Sequence, residues 1–206
     1  MPRRAPIDPE GCYHVSTRGN FGQPLFQSLE EHQLYLDLYA RYSRQFDWRT
    51  LAWSLLWNHH HFLIELTNGG LTEGMRAINH GFSRRVNAMY GRTGQGHLVR
   101  HCFYAGAIES DWHFANVCRY IDLNAVAAQQ CRRPQDWPWC GYAATMGHVR
   151  PRAFHDVSAQ LAHFGARPAC ARRAYRRLVT EAPVPDEGDG SETRAGHPPS
   201  VVESRL

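Results

Sequence analysis

The 206-residue sequence predicts an α+β fold: a ferredoxin-like, RRM-like split βαβ antiparallel sheet with packed helices, followed by a C-terminal helical extension. Strand-like stretches are interleaved with longer stretches of 3.6-residue periodicity, in the order β-α-β-β-α-β-α. The length suits one well-buried core with a small appendage.

Residues 12–18 (CYHVSTR) alternate as a strand does, and the turn-like GNFGQP follows. Leu34, Leu38 and Tyr42 recur at four-residue spacing, with Tyr35 and Tyr39 beside them, which predicts a helix over 29–46. Ser28 with Glu31 resembles a capping box at its start. Strands are expected near 48–56 and 59–66, joined by a tight connection. Met75, Ile78, Phe82, Val86 and Met89 mark one face of a helix near 73–90, with Thr72 as its cap. Residues 91–96 (GRTGQG) form a loop, a strand is expected near 98–108, and a third helix near 111–128. Residues 131–150 look irregular and are pinned by the tryptophans of DWPWCGY. Two short helices are expected over 156–180, the second strongly basic (ARRAYRRL). From 182 onward Pro, Gly, Ser and acids dominate, so 182–206 is expected to be a disordered acidic tail.

Composition narrows the class. No apolar run approaches the roughly 18 residues of a membrane span, and the N-terminus lacks a secretory stretch, so a cytoplasmic protein with no membrane partner is expected. Cys12, Cys102, Cys118, Cys131, Cys140 and Cys170 form no CxxC pair, which favours free thiols over a zinc ribbon or a disulfide framework. All 23 basic side chains are arginine, whose planar fork suits phosphate. Residues 1–180 hold 21 of them against 13 acids, so that body carries +8 where the whole chain carries +4. A polyanionic partner fits this charge, and on charge alone a solvated surface fits equally.

The segment WNHHHFLIEL (57–66) concentrates the chemistry. On a strand, His60, Phe62, Ile64 and Leu66 share one face, a core face, and His59 and His61 share the other. Two neutral imidazoles so placed can bind one divalent cation, although three histidines in a row also suit a plain surface. In CRYIDLNAV (118–126), Tyr120 and Asn124 lie four residues apart on one helical face. A tyrosine can attack phosphorus once a metal polarises the phosphate, and an amide oxygen can join two histidines as a ligand. Taken alone, a tyrosine such as Tyr120 is more often a half-buried core residue.

The stretches YHVSTRGN (13–20), NHHHFLIEL (58–66), GLTEGMRAINHGFSRRVNAMYGRTGQGHL (70–98), CRYIDLNAV (118–126) and DWPWCGY (136–142) together resemble the HUH-type single-tyrosine transposases, specifically their REP-associated (repetitive extragenic palindrome) branch. The run ARRAYRRLV (171–179) resembles a helical extension of part of that branch, so the likeness covers about residues 12–180. It implies a transposase domain over 1–150, a helical extension over 151–181 and the tail beyond. It also implies His59, His61 and Asn124 as ligands of Mg²⁺ or Mn²⁺, and Tyr120 as a nucleophile forming a 5′-phosphotyrosine. The implied substrate is single-stranded, hairpin or palindromic DNA, cut and rejoined by a monomer or a homodimer.

Departures from the pattern lie around the site, not in it. Trp57 stands where the family has proline, His60 where it has a hydrophobic residue, and Cys102 where it has an arginine near the DNA. The alternative is therefore a domesticated or inactive protein that binds hairpins without cutting. A phosphoesterase with paired H-x-T/S motifs has one candidate, His14-Val15-Ser16, and no second. Candidate DNA contacts are Arg18, Arg84, Arg85, Arg92, Arg100, Arg172, Arg173 and Arg176, with His14 and Asn20 near the first strand. Trp112, Tyr104 and Phe103 suit either base stacking or the core, and Tyr175 on the basic helix either a hairpin stem or solvent.

Overall fold

The structure is a computed structural model and describes residues 7–20, 23–92, 94, 96–99 and 103–181. The acidic tail over 182–206 and Arg100 lie outside the described residues. Four strands form one sheet in the order β2-β3-β1-β4. They are β1 (Cys12–Arg18), β2 (Arg49–Leu55), β3 (His59–Glu65) and β4 (Tyr104–Ala107). Every pairing is antiparallel, and β3 fills the gap left by the β1–α1–β2 crossover, as the predicted split βαβ requires.

Strand parity divides the sheet between two layers of helix. Ser16 sits opposite both His61 and Tyr104, and Arg18 opposite His59, so these residues share one face. Thr17 and Val15 pair with His60 and Phe62 on the other. That second face packs on α1 (Leu29–Gln45) and α2 (Leu71–Met89). There Tyr39 stacks on Phe62 with ring centroids 3.8 Å apart, and Tyr35, Phe82 and Phe26 pack edge to face. The first face is covered in part by α3 (Asp111–Ala127), which lies over β2 and β3 and leaves β4 open.

Capping accounts for one helix start as expected and corrects another. Ser28 caps α1 and its side chain accepts from the Glu31 N–H. The cap of α2 is Gly70 at φ 73°, not Thr72, which lies inside the first turn. A Cβ on Gly70 would stand 2.2 Å from Phe46 Cδ1, so steric fit and left-handed backbone together demand glycine there. Met89, expected on the buried face of α2, is exposed because the core beneath that helix ends at Val86. The strand expected over 98–108 is confined to Tyr104–Ala107, with Val99 bridging Gly19 separately.

Gly74 also reads differently in three dimensions. Alanine is favoured over glycine in a helix by about 1 kcal/mol. Here a Cβ would lie 2.4 Å from Trp48 Cη2, inside a packed ring, and overpacking of this kind costs about 1–3 kcal/mol. Gly74→Ala is therefore expected to lower the denaturant midpoint, and a raised midpoint would show that Trp48 yields freely.

The tryptophan-rich segment seals the sheet's outer edge. Leu55 N–H donates to Trp139 O, Gly141 N–H to Trp53 O, Asp156 N–H to Thr50 O, and the Trp137 indole to Leu55 O. These bonds leave little of β2 free to pair with another chain. After α4 (Tyr142–Thr145) and α5 (Val157–Ala162), α6 (Pro168–Thr180) packs on α3. Its Tyr175, read from sequence as a residue that could reach DNA, is fully buried instead and donates to Asp122 at 2.5 Å. The reason is helical phase: Ala171, Tyr175 and Val179 form the inner stripe, which turns Arg173, Arg176 and Arg177 outward.

Candidate active site

Strands β1 and β3 and helix α3 bring His14, His59, His61, Tyr120 and Asn124 together. His59 and His61 project from β3 with ring centroids 4.9 Å apart. Asn124 Oδ1 lies 3.0 Å from His59 Nε2. One turn earlier on α3, the Tyr120 ring sits edge-on to His61 at 5.1 Å and to His14 at 5.8 Å, and it is 36% exposed. Tyr120 and the imidazoles thus lie together on one face of the sheet.

All these imidazoles are held neutral. Burial pushes His14 and His59 down to about 4, and the Arg18 cation adds to the effect at His59. His61 is pushed well below the usual range by burial first and neighbouring histidines second. Neutral rings are the metal-binding form.

The hydrogen bonds fit a cation as well. His59 places Nδ1 2.6 Å from Asn58 Oδ1 and Nε2 3.0 Å from Asn124 Oδ1. A neutral ring has one N–H and can serve only one of these oxygens, so a cation at Nε2 would join the ring nitrogen to the Asn124 oxygen. His61 Nε2 is buried with no hydrogen-bond partner. A divalent cation held by His59, His61 and the Asn124 amide would satisfy all three atoms. Among the described residues, no three His, Cys, Asp or Glu side chains cluster as a metal site.

His60 takes no part in it. It is fully buried on the opposite face, where Nε2 lies 2.6 Å from the Tyr35 hydroxyl, which in turn donates to Asn79 Oδ1. Trp57, in the family's proline position, packs edge-on to His32 at 5.0 Å, and its carbonyl accepts from Leu25 and Phe26 N–H.

The arginines separate into groups. Arg18 ends β1 beside His59. Arg84 and Arg85 are exposed on α2, which covers the opposite face of the sheet from the histidine pair. Arg92 lies 4.8 Å over the Tyr90 ring. Arg172 donates to Thr145 O, whereas Arg173 and Arg176 are exposed on the outer face of α6. Tyr104 is 59% exposed on the histidine side of the sheet, Trp112 is 77% exposed on the first turn of α3, and Phe103 is in the core.

Two residues escape sequence reading. Asn58 reads as part of a turn, yet its amide faces His59. Asp122 lies between Tyr120 and Asn124 but points the other way, buried against Tyr175 and the Cys140 thiol, which donates at 3.4 Å. Burial pushes its carboxyl up to about 7. An acid flanked by Ile121 and Leu123 in an apolar helix was the only sequence signal for it.

The fold and its site define an α+β protein with a split βαβ sheet and a histidine pair beside a helix-borne tyrosine. The chain matches the family described as "Transposase IS200 like" over residues 11–124, more than half its length, and belongs to that family. A solved structure of a REP-associated tyrosine transposase bound to a REP hairpin is similar in fold, with a TM-score of 0.65 at 16% identity, covering 95% of this chain and 99% of that one. No curated protein matches the sequence. Membership makes this a transposase-like, DNA-binding protein; among the described residues no helix is long and apolar enough to cross a membrane.

Proposed function

We propose that the protein is a metal-dependent endonuclease and strand transferase on single-stranded DNA, acting through a 5′-phosphotyrosine at Tyr120. One observation carries this reading: Tyr120 and Asn124, one turn apart on α3, stand over the neutral pair His59 and His61. Mg²⁺ or Mn²⁺ would be held by His59, His61 and Asn124. When bound, such a cation polarises the phosphate and offsets charge on the leaving oxygen.

Tyr120 loses its phenolic proton as its oxygen bonds to phosphorus. The bond from phosphorus to the 3′ oxygen breaks, and that oxygen takes up a proton to leave a free 3′-OH. One phosphoester is exchanged for another, so rejoining needs no nucleotide cofactor. In this reading Arg18, opposite His59, contacts a phosphate, and the exposed Arg173 and Arg176 contact DNA backbone, with affinity that falls steeply with salt. Tyr104 offers an open ring on the site face for an unpaired base. The hairpin bound by the solved relative supports hairpin or palindromic DNA as the substrate.

The test is a denaturing gel of protein incubated with hairpin DNA bearing single-stranded flanks and Mn²⁺. A covalent band that disappears with chelator supports the reading. Binding with no band in any metal supports a hairpin-binding protein instead. His59→Ala and His61→Ala are each expected to abolish Mn²⁺ binding measured by calorimetry, and His60→Gln to leave it intact because that side chain lies behind the strand. Loss of binding in His60→Gln alone would overturn the ligand assignment.

A further inference from the structure

The two β3 histidines share a feature that metal ligation alone does not require: the Nδ1 of each is engaged by a neighbour. His61 Nδ1 lies 2.9 Å from His14 Nε2, and His59 Nδ1 lies 2.6 Å from Asn58 Oδ1. His14 comes from β1, two residues along the shared face from Ser16, which pairs with His61. Asn58 immediately precedes β3.

Hydrogen placement follows from what each tautomer leaves for a cation. A neutral imidazole carries one N–H. His61 Nε2 has no protein partner in either tautomer, and only a bare Nε2 lets a cation fill that place. On Nδ1 the His61 hydrogen has the His14 lone pair as acceptor. The shorter contact of His59, to Asn58, likewise draws its hydrogen to Nδ1. Both rings then present a bare Nε2, one beside Asn124 Oδ1 and the other unpartnered.

We propose that His14 and Asn58 are positioning residues that lock His61 and His59 as Nδ1–H tautomers, so that both offer Nε2 to the cation. This rests on the metal-centred reading given above. His14 holds its own hydrogen on Nδ1 and acts as acceptor, which fixes the angle of the His61 ring as well as its tautomer. Partners of this kind raise the basicity of a ligand and restrict its motion, and their removal typically lowers metal affinity by about 10–100-fold.

The tautomers can be read without metal. Long-range ¹H–¹⁵N correlation on ¹⁵N-histidine-labelled protein at neutral pH is expected to show Nδ1–H for both His59 and His61. In His14→Leu the His61 pattern should move to a tautomer mixture while His59 stays fixed, and in Asn58→Ala the reverse should hold. Mn²⁺ affinity should fall about 10–100-fold in His14→Leu and return in His14→Gln, whose amide oxygen can accept the same hydrogen. A lost fold would show in near-UV circular dichroism and would not be rescued ring by ring. An Nε2–H tautomer at His61 in the wild type overturns the positioning role. So does His14→Leu with unchanged tautomer and unchanged affinity. Wild-type tautomers as expected with no Mn²⁺ uptake overturn the metal reading of the site; Mn²⁺ uptake with the wrong tautomers overturns the positioning role alone.

Discussion

Tyr120→Phe is expected to reduce covalent capture of hairpin DNA by at least about 10³-fold, since removing a nucleophile that acts with its surroundings as a unit is among the largest single-residue effects known. The substitution deletes one oxygen and keeps the ring that packs edge-on to His61 and His14. Tyr120 is partly exposed and lies outside the core cluster, so loss of one hydroxyl should change stability by no more than about 1.5 kcal/mol. Mn²⁺ binding and DNA binding should persist, because His59, His61, Asn124 and the arginines are untouched. The gel should therefore show wild-type complex without the covalent band. Cleavage that persists in Tyr120→Phe would mean that water, not the tyrosine, attacks phosphorus, and the strand-transfer mechanism would fall with it.

The second large effect is sensitivity to mild acid. His32 is fully buried between the rings of Phe26 and Trp139, with centroids at 4.5 and 4.8 Å, and its Nδ1 lies 2.8 Å from Ser28 O. Burial pushes it down to about 4. The unfolded chain takes up a proton on this ring below about 6.5, and the folded chain cannot do so until about 4. Stability is thus fully present above the unfolded value and is lost as pH falls through that window, by about 3 kcal/mol for this one ring. His155, also buried, acts in the same direction. Asp122 opposes them, because a carboxyl raised to about 7 loses stability as pH rises over much of the same range. A difference between wild type and His32→Leu cancels that term. In urea titrations at pH 7, 5.5 and 4.5, the wild type should lose about 2 kcal/mol more than His32→Leu by the lowest pH, with the remainder lost below pH 4. Parallel losses would show that His32 charges within the fold.

Helices α1 and α2 are legible from periodicity, because burial on one face imposes its spacing where solvent covers the other. Ser28 and Glu31 are legible from cap chemistry, and the faces of 59–66 from strand parity, although β3 is buried on both sides. The same rule misjudged the ends. Thr72 has the chemistry of a cap, but the chain enters α2 through a left-handed turn under Phe46 that only glycine fits. Tyr175 sits in an arginine-rich helix, and only packing on α3 reveals that its ring belongs to the core.

The candidate site divides along the same line. By itself the sequence determined which residues could do chemistry: a His-x-His on a strand, a Tyr-x₃-Asn on a helix, and an arginine-only surface charge, all local patterns set by backbone geometry. Only the tertiary structure decided that these meet, that α3 covers the His59 and His61 face while α1 and α2 enclose His60, and that His14 and Asn58 occupy the inner ring nitrogens. Those choices depend on contacts between residues 47 and 65 positions apart, such as His14 with His61 and His59 with Asn124. Sequence spacing carries no record of such separations, whereas sheet register and helix packing set them directly.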